Sequence, residues 1–392
     1  MTHTAVIGQS GGPTAVINQS LVGCIEALRA SGEVDTIYGA RNGVRGMVED
    51  RFVELQALDS QRLARLAHTP SAALGSSRDK PDASYAEKIF RAFEKRSVRY
   101  FFYIGGNDSS DTCRIINELA AAQGYDLQSF HIPKTVDNDL VGSDHTPGFP
   151  SAARFVAAAF MGDNLDNQSL PGVKINVVMG RHAGFLTAAS VMARQRAGDG
   201  PHLIYVPEIA FDIESFVADV ERTYREQGRC QIAVSEGIHD ANETPIVTTL
   251  ASDVETDAHG NVQLSGTGAL GDHLAQLIKS RMDGVRVRAD TFGYLQRCFP
   301  LAISEIDQRE ARNAAAKAVE CALAGEKDGS IAITRASEDP YRAGFERIEL
   351  GDVAAKTRTL PEEWRRGSND IADGFLDYLA PLIGELPAVE HI

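Results

Sequence analysis

Two short loops carry the residues best equipped for chemistry: Gly105-Gly106-Asn107-Asp108-Ser109 and Pro133-Lys134-Thr135-Val136-Asp137-Asn138-Asp139. Together they hold three carboxylates and one ammonium, a set that supplies metal ligands, a general base and a counter-charge. Glycine in such a loop lets the backbone approach a phosphate, and an amide-rich turn that opens a helix attracts anions. A third loop, Gly8-Gln9-Ser10-Gly11-Gly12-Pro13-Thr14, leads into an apolar-periodic stretch over 15–28 and fits either a phosphate cradle or a tight turn. The combination points to phosphoryl transfer.

Positioning these loops requires strands. Apolar runs over 4–7, 100–104 and 130–132 directly precede them, so each loop is expected at the carboxyl end of a buried parallel strand, where ligands of open α/β sheets bind. Further strands are expected at 36–40, 174–179, 203–206, 231–235, 285–289 and 331–333. Helical periods lie between most of them, at 85–95, 111–123, 151–164 and 213–227. Such alternation specifies an α/β class with parallel sheets covered on both faces by right-handed crossovers. At 392 residues the chain is long for one core, and two domains are expected.

The bulk composition, 43% hydrophobic and 24% charged, is that of a globular protein. A net charge of −15 argues against nucleic acid or an anionic membrane as partner, so a site for phosphates must reverse that sign locally. Arg78, Lys134, Arg181, Arg288 and Arg297 are candidates. The five cysteines never take a paired-ligand spacing, which argues for free buried thiols and against a zinc site or a disulfide framework. No apolar run reaches the roughly 18 residues of a membrane span, and no secretory leader is evident, so a cytoplasmic location is expected.

Taken in order, the loops resemble the phosphofructokinase family. The motifs are the early glycine loop, Leu74-Gly75-Ser76-Ser77-Arg78, the Gly105 loop, Thr135-Val136-Asp137-Asn138-Asp139, Met179-Gly180-Arg181, Pro207-Glu208, Glu236-Gly237, and Arg288 through Gly293-Tyr294-Leu295-Gln296-Arg297. The resemblance implies two Rossmann-like three-layer α/β/α domains with mostly parallel sheets: 1–147 plus about 297–340 for the phosphoryl donor, 148–296 for fructose 6-phosphate, and a tail over 341–392 packing back. ATP-using members of the family are expected to carry glycine where this chain has Asp108 and Lys134. These two residues resemble the pyrophosphate-dependent branch. A carboxylate at Asp108 would repel an α-phosphate, since like charges about 4 Å apart cost on the order of 1 to 4 kcal/mol, while Lys134 would hold a compact diphosphate.

By the same resemblance, Asp137 is the general base toward the sugar 1-hydroxyl and Arg181 stabilises the transferring group. Thr135, Met179, Gly180 and Glu236 contact the sugar phosphate. Tyr294 and Arg297 hold the 6-phosphate, joined by Arg288 from a neighbouring subunit, while Gly12 and Arg78 serve the donor. Magnesium is implied as cofactor, with Asn107, Asp108 and Asp139 as its ligands, although the family usually has aspartate at 107. A second intersubunit arginine of relatives has no match, Lys174 being only nearby. A homodimer or homotetramer is implied. The alternatives are an ATP-dependent phosphofructokinase and a non-catalytic sugar-phosphate-binding subunit.

Overall fold

The computed structural model describes residues 3–250, 268–354 and 356–390. Positions 1–2 of the expected first domain, 251–267 of the expected second, and 355 and 391–392 of the expected tail, lie outside the described residues. The chain forms two units, Met1–Ser151 with Arg297–Arg358, and Ala152–Gln296 with Thr359–Ile392. In chain order the first unit contributes β1 (His3–Gln9), β2 (Val34–Ala40), β3 (Phe52–Glu54), β4 (Val98–Gly105) and β5 (Gln128–Pro133). The second contributes β6 (Val173–Val178), β7 (Leu203–Tyr205), β8 (Cys230–Ser235) and β9 (Val287–Thr291), and β10 (Asp328–Glu338) and β11 (Tyr341–Ile348) belong to the first again.

The first sheet has the order β11-β10-β5-β4-β1-β2-β3. Its interior pairs, β2 with β1, β1 with β4, β4 with β5 and β5 with β10, are parallel; only the two edges, β3 and β11, run antiparallel. Side chains of β1 and β4 alternate between two cores. Ala5, Ile7, Tyr100, Phe102 and Ile104 pack with the helices Ile17–Ser31 and Glu305–Leu323, whereas Val6, Phe101 and Tyr103 pack with Ala83–Glu94 and Asn107–Ala122. Burial on both faces is why these strands read as unbroken apolar runs.

The register brings the carboxyl ends level: Gln9 lies beside Ile104, and Ile104 beside Ile132. The glycine loop and the Gly105 loop therefore flank the junction of β1 and β4, where strand order reverses and ligands of open sheets bind. In the second unit the order is β7-β8-β6-β9, all parallel. Val178 lies beside Ser235, and Phe292 follows β9 with its N–H donating to Val177 at 3.0 Å, so the 179, 236 and 292 loops share one sheet edge.

The segment expected as a separate tail from 341 is divided. Residues 341–348 pair antiparallel with β10, which keeps them in the first unit, and Thr359 onward belongs to the second. The described cysteines are free, four of them buried and Cys298 half-buried. Among the described residues no helix is long and apolar enough to cross a membrane.

Candidate active site

The donor-side residues meet in the first unit. Ser10 N–H donates to Ile104 and Lys134 N–H to Gly105, both at 2.9 Å, tying the three loops together. Gly11 has φ +72°, and a Cβ there would sit 3.1 Å from Lys134 Nζ; one on Gly12 would sit 3.1 Å from Arg297 Cζ. Only glycine brings this backbone so near two cations. Lys134 is 3% exposed, which excludes a solvated surface lysine. Burial pushes its ammonium down to about 8; Arg297 and Arg78 act the same way and Asp137 and Asp139 oppose them. Arg297, expected at the sugar 6-phosphate, thus lies against the donor loop.

Asn107 and Asp108 form the first turn of the helix Asn107–Ala122, whose N-cap is Gly106. Asp108 is therefore not the cap, and its carboxylate meets Lys80 Nζ at 3.1 Å. This pairing places a cation beside the carboxylate expected to repel a nucleotide, which offsets part of that repulsion. Asn107 Nδ2 donates to Asp139 Oδ2 at 3.2 Å, while its Oδ1 is buried without a hydrogen-bond partner.

The turn that presents the carboxylates is built around Asn138, at φ +58°, a conformation asparagine tolerates. Its Oδ1 accepts from Thr146 N–H at 3.0 Å, and Thr135 Oγ1 accepts from Asp137 N–H at 3.1 Å. Asp139 is held well above the ordinary carboxylate range, first by burial and then by the charge of Asp137. Two carboxylates on one turn beside a buried ammonium form a proton acceptor next to an anion cradle.

In the second unit Met179 and Glu236 are buried directly after β6 and β8, and Glu236 N–H donates to Val178 at 2.9 Å. Gly180 has φ +149°, and its carbonyl accepts from Ser235 Oγ at 2.6 Å. A Cβ on Gly237 would lie 2.1 Å from the carbonyl of Arg181, so the Arg181 loop rests on a glycine platform. Tyr294 is about half exposed in the turn Gly293–Arg297. Arg288 is exposed on edge strand β9, its guanidinium donating to the Val287 carbonyl at 2.9 Å. Lys174 is committed internally, meeting Asp163 at 2.5 Å and Asp166.

Residues 4–322 match the family model described as phosphofructokinase. The chain belongs to the phosphofructokinase family. It is 55% identical over 380 residues to pyrophosphate–fructose 6-phosphate 1-phosphotransferase of Rhodospirillum rubrum, covering 97% of this chain and 94% of the relative. The enzyme of the same name from Halomonas elongata is 38% identical over 392 residues, covering 97% and 92%. The crystal structure of the pyrophosphate-dependent phosphofructokinase from Marinobacter aquaeolei superposes with a TM-score of 0.87 at 32% identity, covering 99% of this chain and 94% of that one.

Three further residues support this candidate site. His131, fully buried and lowered to about 4 by burial, uses Nε2 to donate to the Gly105 carbonyl at 2.8 Å, which leaves Nδ1 to accept from Ser330 Oγ. Arg358 N–H donates to Asp139 O at 2.8 Å. Within the 137–148 segment, buried His145 bridges Asp144 at 2.8 Å and Glu310 at 2.6 Å. Apart from the adjacent His145–Asp144 pair, each partnership spans a sequence separation that leaves no local pattern.

Proposed function

We propose that this protein transfers the terminal phosphoryl group of pyrophosphate to the 1-hydroxyl of fructose 6-phosphate, giving fructose 1,6-bisphosphate and orthophosphate. The buried Lys134 ammonium beside Gly11, with Arg297 at Gly12, carries the reading: a compact, doubly lined anion cradle suits a short inorganic donor. Asp137 accepts the proton as the sugar oxygen attacks phosphorus, and the bridging oxygen leaves with orthophosphate. Arg181 neutralises charge that spreads over the transferring group. Glu236 and Met179 receive the sugar, with Thr135, Gly180, Tyr294 and Arg288 completing the acceptor set, while Arg78 adds charge on the donor side.

Among the described residues no group of three or more His, Cys, Asp or Glu is arranged for a metal. Magnesium needs fewer, because it keeps waters and takes phosphate oxygens. The unpartnered Asn107 Oδ1 and the partly buried Asp139 carboxylate beside it are hard oxygen donors that fit the ion; Asp108, turned to Lys80, is the weaker third candidate. Bound there, magnesium would offset phosphate charge. A donor assay at fixed magnesium tests the function: turnover with pyrophosphate should exceed that with ATP, and the reverse order rejects it. Replacing both Asp108 and Lys134 with glycine should weaken pyrophosphate use; unchanged use would remove the two residues from donor selection.

A further inference from the structure

The Pro207-Glu208 motif and the C-terminal segment have no part in the chemistry above, yet the fold joins them behind the Arg181 loop. Glu208 follows β7, and one of its oxygens, Oε1, accepts two backbone N–H groups: Gly184 at 2.8 Å and Leu360 at 2.7 Å. Its own carbonyl accepts from Arg365 Nη1 at 3.3 Å. Gly184 must be glycine for this approach, because a Cβ there would lie 2.6 Å from Glu208 Oε2 and 2.7 Å from Val206 Cβ.

The same C-terminal segment reaches the loop a second time. Trp364 stands edge-on to Phe185, the fully buried residue after Gly184, with ring centroids 6.4 Å apart, and packs on Tyr378 at 4.5 Å. It also covers the free edge of β7, since Ile204 N–H donates to Asn369 O at 2.8 Å. The Arg181 loop is thus pinned at its start by Ser235 on Gly180 and at its end by Glu208 on Gly184.

We propose that Glu208 is a positioning residue for Arg181, and that the C-terminal segment from Leu360 is the far jaw of its clamp. The inference rests on the reading that Arg181 serves the transferring group. A guanidinium that stabilises a transition state works only when its backbone is held to within a fraction of an ångström, so releasing one end of a five-residue loop lowers turnover more than donor binding.

The full-length protein tests this through Glu208→Ala and Glu208→Gln, read by steady-state kinetics and by the rate of trypsin cleavage after Arg181. In Glu208→Ala, kcat should fall at least tenfold with the pyrophosphate KM within twofold, and cleavage after Arg181 should accelerate at least tenfold. Glu208→Gln keeps an acceptor oxygen and should stay within threefold of the parent in both. A folded Glu208→Ala with parental kcat and parental cleavage overturns the proposal, as does a Glu208→Gln as impaired as the alanine variant. If Glu208→Ala does not fold, Glu208→Asp takes its place. Its shorter side chain cannot bridge both N–H groups, so parental kcat and cleavage in that variant are equally decisive against the clamp. Absence of any pyrophosphate-dependent transfer by the parent protein would sink the proposed function and leave the clamp to be judged by proteolysis.

Discussion

In the proposed mechanism Asp137 and Lys134 divide the labour at one turn, and each has its own signature. A positioned base contributes about 10²- to 10⁴-fold, so Asp137→Ser should lower kcat by that amount and leave both KM values within a few fold; undiminished kcat would remove Asp137 from proton transfer. In that mechanism Lys134 acts through its charge, which burial makes easier to lose as pH rises. With its pKa down to about 8 in the free protein, kcat/KM for pyrophosphate should fall as pH rises through 8. Lys134→Arg, which stays charged, should move that limb upward. A flat profile between pH 7 and 9.5 contradicts the role. Stability runs the other way: the folded state binds fewer protons than the unfolded between about 8 and the ordinary lysine value near 10.4, so Lys134 makes folding more favourable as pH rises across that window.

The elements that carry the site differ in how plainly the sequence announces them. Interior strands β4, β5, β6 and β8 are buried at almost every position, and their mostly apolar runs place both candidate loops at strand ends, as the sequence suggests. The hairpin of β10 and β11 was legible only at 331–333, because its outer half is partly exposed and mixes charge with small residues. Nor does periodicity show that the helix of the Gly105 loop starts at Asn107 rather than 111, since its polar first turn is held by loop geometry. Long-range pairs such as Lys80 with Asp108 are invisible to any local pattern. The helix Glu305–Leu323 supplies the most consequential of these, through Glu310 to His145 and Asp307 to Gly148 and Ser151. Burial alone would lower His145, but Asp144 and Glu310 raise it to about 9. Its contribution is therefore complete below the unfolded value near 6.5 and is lost as pH climbs to about 9. Thermal midpoints should decline across that interval in the parent and stay level in His145→Gln; His145→Ala, which leaves buried Glu310 with the Tyr341 hydroxyl but no cation, should cost up to about 3 kcal/mol. Equal slopes in parent and glutamine variant would show that His145 is not the charged centre of the network.

At the scale of the whole molecule the problem is a net charge of −15 in a protein whose proposed substrates are both anions. The global field opposes them, so affinity must come from a few local cations, and the fold gathers some cations around the donor loop while it locks others between carboxylates. Lys134, Arg297 and Arg78 surround the Gly11–Gly12 loop in the first unit. Lys174, near the position of a missing arginine, is locked between Asp163 and Asp166 in the second. Calorimetric titration of each substrate separates the two kinds. Lys134→Met keeps the volume and removes a charge-assisted bond of about 1.5 to 3 kcal/mol, so the pyrophosphate Kd should rise by roughly 10- to 150-fold while fructose 6-phosphate binding holds within twofold. Lys174→Met should leave both affinities within twofold and instead lower the melting temperature, because Asp163 and Asp166 then lose the counter-charge that sits between them. A tenfold loss of fructose 6-phosphate affinity in Lys174→Met would mean that this lysine leaves its carboxylates to meet substrate, and the division of cations drawn from the fold would fail.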